Sequence, residues 1–335
     1  MDRPTISILL PVFDAERTLP VCLESIGRQT LRDWECIVMD DGSTDGSLAV
    51  ARRCAAADPR FRVISGVHRG LVDTLNRGLA HCRGALIARM DADDWMHRER
   101  LAAQRDALEA DPALAAVGCH VRLFPRASVG PGMRRYERWL LSIDSARRVR
   151  EECFVECPVP HPTLVLRRAV LETLRYRQCS WPEDYDLVLR LLLSGGEIGV
   201  VPRRLLAWRQ SEGRLSRRSP NYTIERFVAC KAAFLAESFL AGVDRYVLWG
   251  YGETGKALGR ALRSHGKHPA AIVELHPGRI GSRIHGAPVI HVEELQRPAP
   301  APVVVSVAGA QARAEIRAEL HRKGFREIED YVCAA

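Results

Sequence analysis

The apolar positions of the first hundred residues fall into two rhythms. ISILLPVF from Ile6, WECIVMD from Trp34 and FRVISG from Phe61 are short apolar runs of strand length. ALIARMDADD from Ala85 is a fourth, and it runs into acidic residues. Between these runs the apolar residues recur three and four apart. ERTLPVCLESIGRQT puts Leu19, Leu23 and Ile26 on one helical face. SLAVARRCAAA follows the turn cluster DDGSTDGS, whose Ser43, Thr44 and Asp45 are capping residues. LVDTLNRGLAHCRG is closed by Gly84. Strands interleaved with helices predict a parallel α/β sheet covered on both faces. In such sheets ligands bind beyond the carboxyl ends of the strands. Asp40–Asp41 and Asp91–Asp93 both end strands, so one crevice is expected to hold both acidic groups.

The rest of the chain changes character twice. RRYERWLLSIDSARRVR at 134–150 reads as one basic amphipathic helix, with Trp139, Leu140 and Ile143 together. It suits either a solvated cover for the core or a surface meeting anionic lipid or a lipid-diphosphate acceptor. TIERFVACKAAFLAESFLAG, rich in Ala, Leu and Phe, reads as a helix linking two domains. After it, RYVLWGYGETGKALGRALRSHG gives strand, Gly-rich turn and helix. AAIVE and VVVSVAG are further strands, and QARAEIRAELHRKG is a closing helix. The expected organisation is a domain over 1–220, a linker helix over 221–242 and a smaller α/β domain over 243–335.

Composition narrows the classes. At 335 residues the chain exceeds what one core usually supports. Hydrophobic and charged shares of 47% and 27% are ordinary globular values and exclude a disordered, collagen-like or coiled-coil chain. No run of 18 apolar residues occurs, and the start has only a five-residue apolar run. The expected location is the cytoplasm, with peripheral contact at the inner face of a membrane as an option. The net charge is +8, and 45 of the 49 basic residues are Arg. Aromatics are only 6% and no nucleic-acid motif appears, so no nucleic-acid partner is expected. Arg beside a diphosphate or an anionic lipid fits better. Ten Cys without a CxxC pair read as buried, reduced thiols, and no zinc site is completed around Cys153 and Cys157.

The densest chemistry is Met90-Asp91-Ala92-Asp93-Asp94. Carboxylates two apart after a strand can reach one divalent cation, and hard oxygen ligands suit Mg²⁺ or Mn²⁺. Taken alone, the same acids also read as a solvated turn. The context is PVFDAERTL, QTLRDWECIVMDDGSTDGS, HRGLVDTLNRGL and ALIARMDADDWMHRERL, followed by HPTLVLRR, EDYDLVLRLL and WRQSEGRLS. In this order the segments resemble the inverting family 2 glycosyltransferases of the GT-A fold over about residues 4–218.

The resemblance implies a metal-dependent transfer from a nucleotide-sugar, a UDP-sugar first, to a hydroxyl of a glycan or lipid-linked acceptor in polysaccharide synthesis. By it, Pro11, Phe13 and Asp14 flank the base and ribose, and Asp41 reads the base with Asp40 beside it. Arg69 contacts base or phosphate, and Asp91 and Asp93 hold the metal, Asp93 directly. Asp184, next to Glu183, is the general base, and His161 lies near the acceptor. Apart from the resemblance, Trp34, Trp95 and Trp139 read first as core or rim residues, and Trp95, adjacent to the acidic loop, is the best candidate of the three for stacking on a sugar ring. Leu187, Val188 and Leu191 turn inward, so Asp184 is expected on an exposed first turn where the helix dipole favours its ionised form. One departure stands out. Ser211 occupies the place of a histidine that the family often carries after Arg209. Either a metal or diphosphate contact is missing, or Arg209 and Arg214 replace it.

In the C-terminal domain, Gly250, Gly252 and Gly255 form a GxGxxG between a strand and a helix, a pattern that can cradle phosphate. Glu274 ends the next strand, where a ribose-binding acid is expected. The unit resembles the small Rossmann-like domain of sugar acyltransferases and also NAD-binding half-domains. Binding of a nucleotide-sugar or NAD, and a purely structural role, both stay open. Two other readings of the whole chain remain: a nucleotide-sugar-binding scaffold with weakened catalysis, and an NAD-dependent sugar-modifying enzyme acting through this unit. The oligomeric state is not legible.

Overall fold

The computed structural model describes residues 3–211, 213–214 and 219–335. Its contacts divide the chain into two compact units. One comprises Met1–Val149, Val159–Cys179 and Glu183–Arg217; the other comprises Arg150–Pro158, Ser180–Pro182 and Arg218–Ala335.

The first unit is built on eight strands: β1 (Ile6–Val12), β2 (Trp34–Asp40), β3 (Phe61–Ser65), β4 (Leu86–Arg89), β5 (Trp95–Met96), β6 (Leu114–Phe124), β7 (Val165–Arg167) and β8 (Glu197–Arg209). They lie in the order β3-β2-β1-β4-β7-β6-β8-β5. β1 pairs in parallel with β2 and with β4, and β2 with β3. β7 then runs antiparallel to both β4 and β6, so the sheet is mixed. The near-continuous apolar character of β1 and β2 follows from burial on both faces. The helix Leu19–Gly27 opens with Pro20, pre-set for a first turn, and buries Leu19, Cys22, Leu23 and Ile26. Because β1, β2 and β4 point the same way, the loops after Val12, Asp40 and Arg89 emerge along one end of the sheet.

The segment 134–150 is not one helix. It forms Pro131–Leu140 and Ala146–Glu152, with Ile143 buried between them. Two serines explain the break. The Ser142 hydroxyl donates to the Trp139 carbonyl (2.6 Å), and the Ser145 hydroxyl accepts from the Arg148 N–H (3.4 Å). Such local side-chain bonds compete with the helical ladder.

The second unit has a six-stranded sheet: β9 (Arg245–Trp249), β10 (His268–Val273), β11 (Arg283–Ile284), β12 (Ala287–Ile290), β13 (Val303–Val305) and β14 (Tyr331–Cys333). The order is β11-β12-β10-β9-β13-β14, parallel except for the β11–β12 hairpin. That hairpin turns at His285-Gly286, both with positive φ, which matches the twist of a tight two-residue turn. The helix Ile224–Glu237 belongs to this unit. It buries Lys231, whose ammonium donates to the carbonyls of Val155 (2.6 Å) and Ala334 (3.1 Å).

Two of the glycines of GYGETG, Gly250 and Gly255, allow close packing. Gly250 has φ +93°, and a Cβ there would lie 2.4 Å from Val307. A Cβ on Gly255 would sit 2.1 Å from the Gly250 carbonyl oxygen, so only glycine lets the helix Glu253–Ser264 come this close. Gly252 has open space and φ −74°. Gly259 is different again. It lies inside the same helix, and an added Cβ meets nothing closer than 3.6 Å. Gly255→Ala should therefore destabilise this unit by about 1–3 kcal/mol, whereas Gly259→Ala should stabilise it by about 0.5–1 kcal/mol through helix propensity. Urea unfolding of the two variants checks the opposite signs.

Candidate active site

The loops after β1 and β2 close on one another. Pro11 lies in β1 opposite Met39, and Phe13 and Asp14 follow the strand. Asp14 has φ +46°; its carboxylate accepts from the Thr44 N–H (2.7 Å), and its own N–H donates to Ser43 Oγ (3.1 Å). Asp40 is buried and accepts from the Ser43 N–H (3.3 Å). The buried Asp41 carboxylate accepts from the backbone N–H groups of Arg69 (2.9 Å) and Gly70 (2.9 Å), with His68 Nδ1 at 2.9 Å. Asp41 thus anchors the loop after β3, and Arg69 is held there by its main chain. Gly42 permits the approach, since a Cβ on it would be 2.7 Å from the His68 nitrogen. The Phe13 and His68 rings stack at 4.2 Å, with Phe13 46% exposed. Together they present an open aromatic face.

β4 ends at Arg89, and Asp91, Asp93 and Asp94 follow, with carboxylate oxygens within 4.8 Å of one another. Arg89 is 1% exposed; it pairs with Asp91 (2.6 Å) and also donates to the Met90 carbonyl. Arg100 stands behind it, donating to the Arg89 carbonyl (2.9 Å). Burial pushes the Asp91 carboxyl up, but Arg89, then Arg214, outweigh it and hold the group below the ordinary range. Asp93 and Asp94 move the other way. Burial first, then the charge of Asp91, raises both, and Asp94 lies well above its usual value. Asp94 is 1% exposed; its Oδ1 accepts from the Arg209 N–H (2.7 Å), and its Oδ2 has no partner. An orphaned buried oxygen within three mutually repelling acids is an arrangement that a divalent cation with oxygen ligands would relieve. The residues fit such an ion.

Arg209 lies at the end of β8. Its Nε donates to the Asp93 carbonyl (2.6 Å), and its guanidinium stacks 4.5 Å above Phe124. Arg214 donates to the Arg209 carbonyl (2.6 Å) and stacks 4.6 Å above Trp208. Two cations are thereby anchored beside the acidic loop by neutral carbonyls and rings. Ser211 lies just past the strand.

On the other side, the His161 ring is buried, with Nε2 2.9 Å from the Tyr176 hydroxyl. Burial, then Arg89, holds its pKa well below the ordinary value, so it is neutral. Glu183 and Asp184 open the helix Glu183–Leu193, where Arg190, paired with Asp186 one turn earlier (2.6 Å), donates to the Leu174 (2.6 Å) and Arg175 (2.8 Å) carbonyls and fastens the helix in place. The expected exposed, ionised first turn is corrected here. Glu183 is buried and Asp184 half-buried. Burial, then the charge of Glu183, raises the Asp184 carboxyl to about 7 and outweighs the helix N-terminus.

The sequence matches the family model described as glycosyl transferase family 2 over residues 7–175. The chain belongs to that family. This glycosyltransferase is 31% identical over 231 residues to EpsE of Bacillus subtilis (strain 168), covering 67% of this chain and 80% of that one. It is 31% identical over 216 residues to the amylovoran biosynthesis glycosyltransferase AmsE of Erwinia amylovora, covering 63% and 79%. In structure it is similar to S. aureus TarS 1-349 in complex with UDP, with TM-score 0.54 and 16% identity over 78% of this chain and 71% of that one. It is equally similar to the mannosyltransferase PcManGT of Pyrobaculum calidifontis in complex with GDP-Man and Mn²⁺, with TM-score 0.54 and 21% identity over 79% and 70%. These likenesses establish the GT-A fold expected from the sequence. No helix among the described residues is long and apolar enough to cross a membrane.

The glycosyltransferase carries site residues that motif reading passed over. Arg89, His68 and Tyr176 join the groups above through contacts, with no signal beyond their proximity to motifs, and Asp94, named with the acidic cluster, gains its own role from its contact with Arg209. In the second unit, Glu274 accepts from the Tyr251 N–H (2.8 Å) and pairs with Arg279 (3.2 Å), so its carboxylate braces the Gly-rich loop. Replacing Arg89 by Met should lower stability by about 3 kcal/mol, at the low end for a broken buried pair because Asp91 keeps some solvent contact. Adding Asp91→Asn should recover part of the loss, read in guanidinium unfolding curves.

Proposed function

We propose that the enzyme is a metal-dependent, inverting glycosyltransferase that moves a sugar from a nucleotide-sugar, UDP-linked by preference, to an acceptor hydroxyl in polysaccharide assembly. The observation that carries this reading is the opposed state of two acidic groups in one unit. Asp91 is held ionised by Arg89, while the Asp184 carboxyl titrates near about 7. Sites that run acid–base chemistry at neutral pH separate their titrating groups in this way. The relatives' polysaccharide role and the neighbours' complexes with UDP and with GDP-Man and Mn²⁺ support the donor class.

Asp91 and Asp93, with Asp94 behind them, would hold the cation. Bound there, it supplies positive charge to the leaving diphosphate. Phe13 and His68 offer their stacked faces to the nucleotide base, and Asp14 and Asp41 keep the two loops closed around it. Arg209 and Arg214 point fixed cations at the diphosphate, in the role left open by Ser211. Asp184 accepts the proton of the attacking acceptor hydroxyl as the new glycosidic bond forms on the face of the sugar opposite the leaving group. Neutral His161, tied to Tyr176, adds no competing charge on that side.

The base must be ionised, so kcat should rise with pH through about 7 and then level off. For stability the sign is opposite. The folded state keeps a proton that the unfolded chain releases near 3.8, so this group's contribution is present below that pH and lost as the pH rises through about 7. Asp184→Asn should cost about 10²–10⁴-fold in kcat while nucleotide-sugar binding, followed by calorimetry, is retained. If that variant keeps its turnover, Asp184 is not the base. A thermal-shift panel of nucleotide-sugars with and without Mn²⁺ should give a metal-dependent rise that Asp93→Ala abolishes. A shift that survives Asp93→Ala removes the metal assignment.

A further inference from the structure

A cleft of about 500 Å³ opens at the outer edge of the eight-stranded sheet, along the strand that follows the acidic loop. One wall is β5 and its continuation through His97 and Arg98, and the other is the end of the helix Leu19–Gly27 with Arg28 and Arg32 beyond it. The walls are tied together. Ser25 Oγ accepts from the Met96 N–H (3.2 Å), Gln29 Nε2 donates to the His97 carbonyl (2.9 Å), and the Thr30 N–H donates to the Arg98 carbonyl (2.8 Å). The concavity is therefore preformed.

Its lining combines two chemistries. Trp95 and His97 meet edge to face at 6.4 Å and 85°. The Glu99 N–H donates to His97 Nδ1 (3.3 Å), which leaves the neutral ring's proton on Nε2. Around these rings stand the guanidinium groups of Arg28, Arg32 and Arg98. Glu24 pairs with Arg28, and Glu99, 3.7 Å from Arg98, is shared with Arg203. Arg32 has no ion pair among the described residues. The balance at the cleft is positive.

We propose that this cleft binds a six-membered sugar ring carrying a carboxylate or phosphate. Trp95 supplies the stacking face, and Arg32 with its neighbours supplies the planar donors that match an anionic oxygen pair. An uncharged sugar would leave the guanidinium groups unmatched, and a bare anion would leave the rings unused. The choice of sugar probes rests on the glycan-building reading above; the cleft's lining includes neither Asp184 nor the acidic-loop carboxylates.

Calorimetry on the full chain tests the proposal with glucuronic acid, glucose 6-phosphate, glucose and inorganic phosphate, each with and without saturating UDP and Mn²⁺. The two sugar acids should bind saturably at one site, unaffected by UDP, and glucose should not bind. Arg32→Ala and Trp95→Ala should each weaken them at least tenfold, and Arg32→Ala, remote in sequence from the acidic loop, should leave UDP binding unchanged, which certifies the fold. Tighter binding of a glucuronate-containing oligosaccharide supports a unit of a glycan chain as the source; equal binding supports a free sugar acid. The proposal is overturned by inorganic phosphate binding as well as the sugar acids, by displacement with UDP, or by full affinity in Arg32→Ala. Transferase activity enters none of these readouts, so a failure here is separable from a failure of the Asp184 assignment.

Discussion

The crowding of three carboxylates at the end of β4 is the constraint around which the first unit is arranged. Like charges this close cannot all remain ionised in a half-buried site without compensation. Arg89 neutralises Asp91 from the end of β4, Arg209 bonds Asp94 and the Asp93 carbonyl from β8, and Arg214 locks Arg209. Each of these arginines is positioned by ordered structure: Arg89 by a strand, Arg209 by the end of β8 and the Phe124 ring, Arg214 by Trp208. The acids remain partly unrelieved, with one oxygen orphaned. A site left short of positive charge is prepared for a cation, and arginine, unlike lysine, can hold its place by stacking while keeping donors available.

The two groups of the proposed site are tuned by different means. Around the loops after β1 and β2, backbone geometry prevails: Asp14, Asp40 and Asp41 accept from loop N–H groups, so their carboxylates fasten the loops. Around His161 and Asp184, burial prevails. It keeps His161 neutral and lifts Asp184 toward neutral pH. The same desolvation that would weaken a structural ion pair brings a carboxyl into the range where a base, in the role proposed for Asp184, transfers protons effectively.

Much of this was legible along the chain because it is local. The first four strands, the helices between them and the Asp-rich turns are short-range patterns, and the parallel order follows from their alternation. What escaped reading is non-local. The Asp94–Arg209 contact spans 115 residues, and the Arg89–Asp91 pair lies within a motif but shows itself only once Arg89 is seen to be buried. The break between Leu140 and Ala146 depends on two serine hydroxyls, and the exposure of Asp184 was misread because helix position was visible while the surrounding packing was not. Trp95 is adjacent in sequence to the acidic loop, yet its neighbours Arg28 and Arg32 come from the segment just beyond the helix Leu19–Gly27.

The reversed strand β7 also decides how widely the carboxylate loop depends on the chain. Leu86 of β4 faces Ile6 of β1 on one edge and Arg167 of β7 on the other, so the strand that leads into the acidic loop is closed on both edges by segments about equally distant in sequence. Neither pairing is local, and each closes a long loop before its contacts reward it. With both edges paired, β4 offers no free edge to another chain. The acidic loop therefore hangs from a strand of high contact order, fixed by both flanks of the unit together.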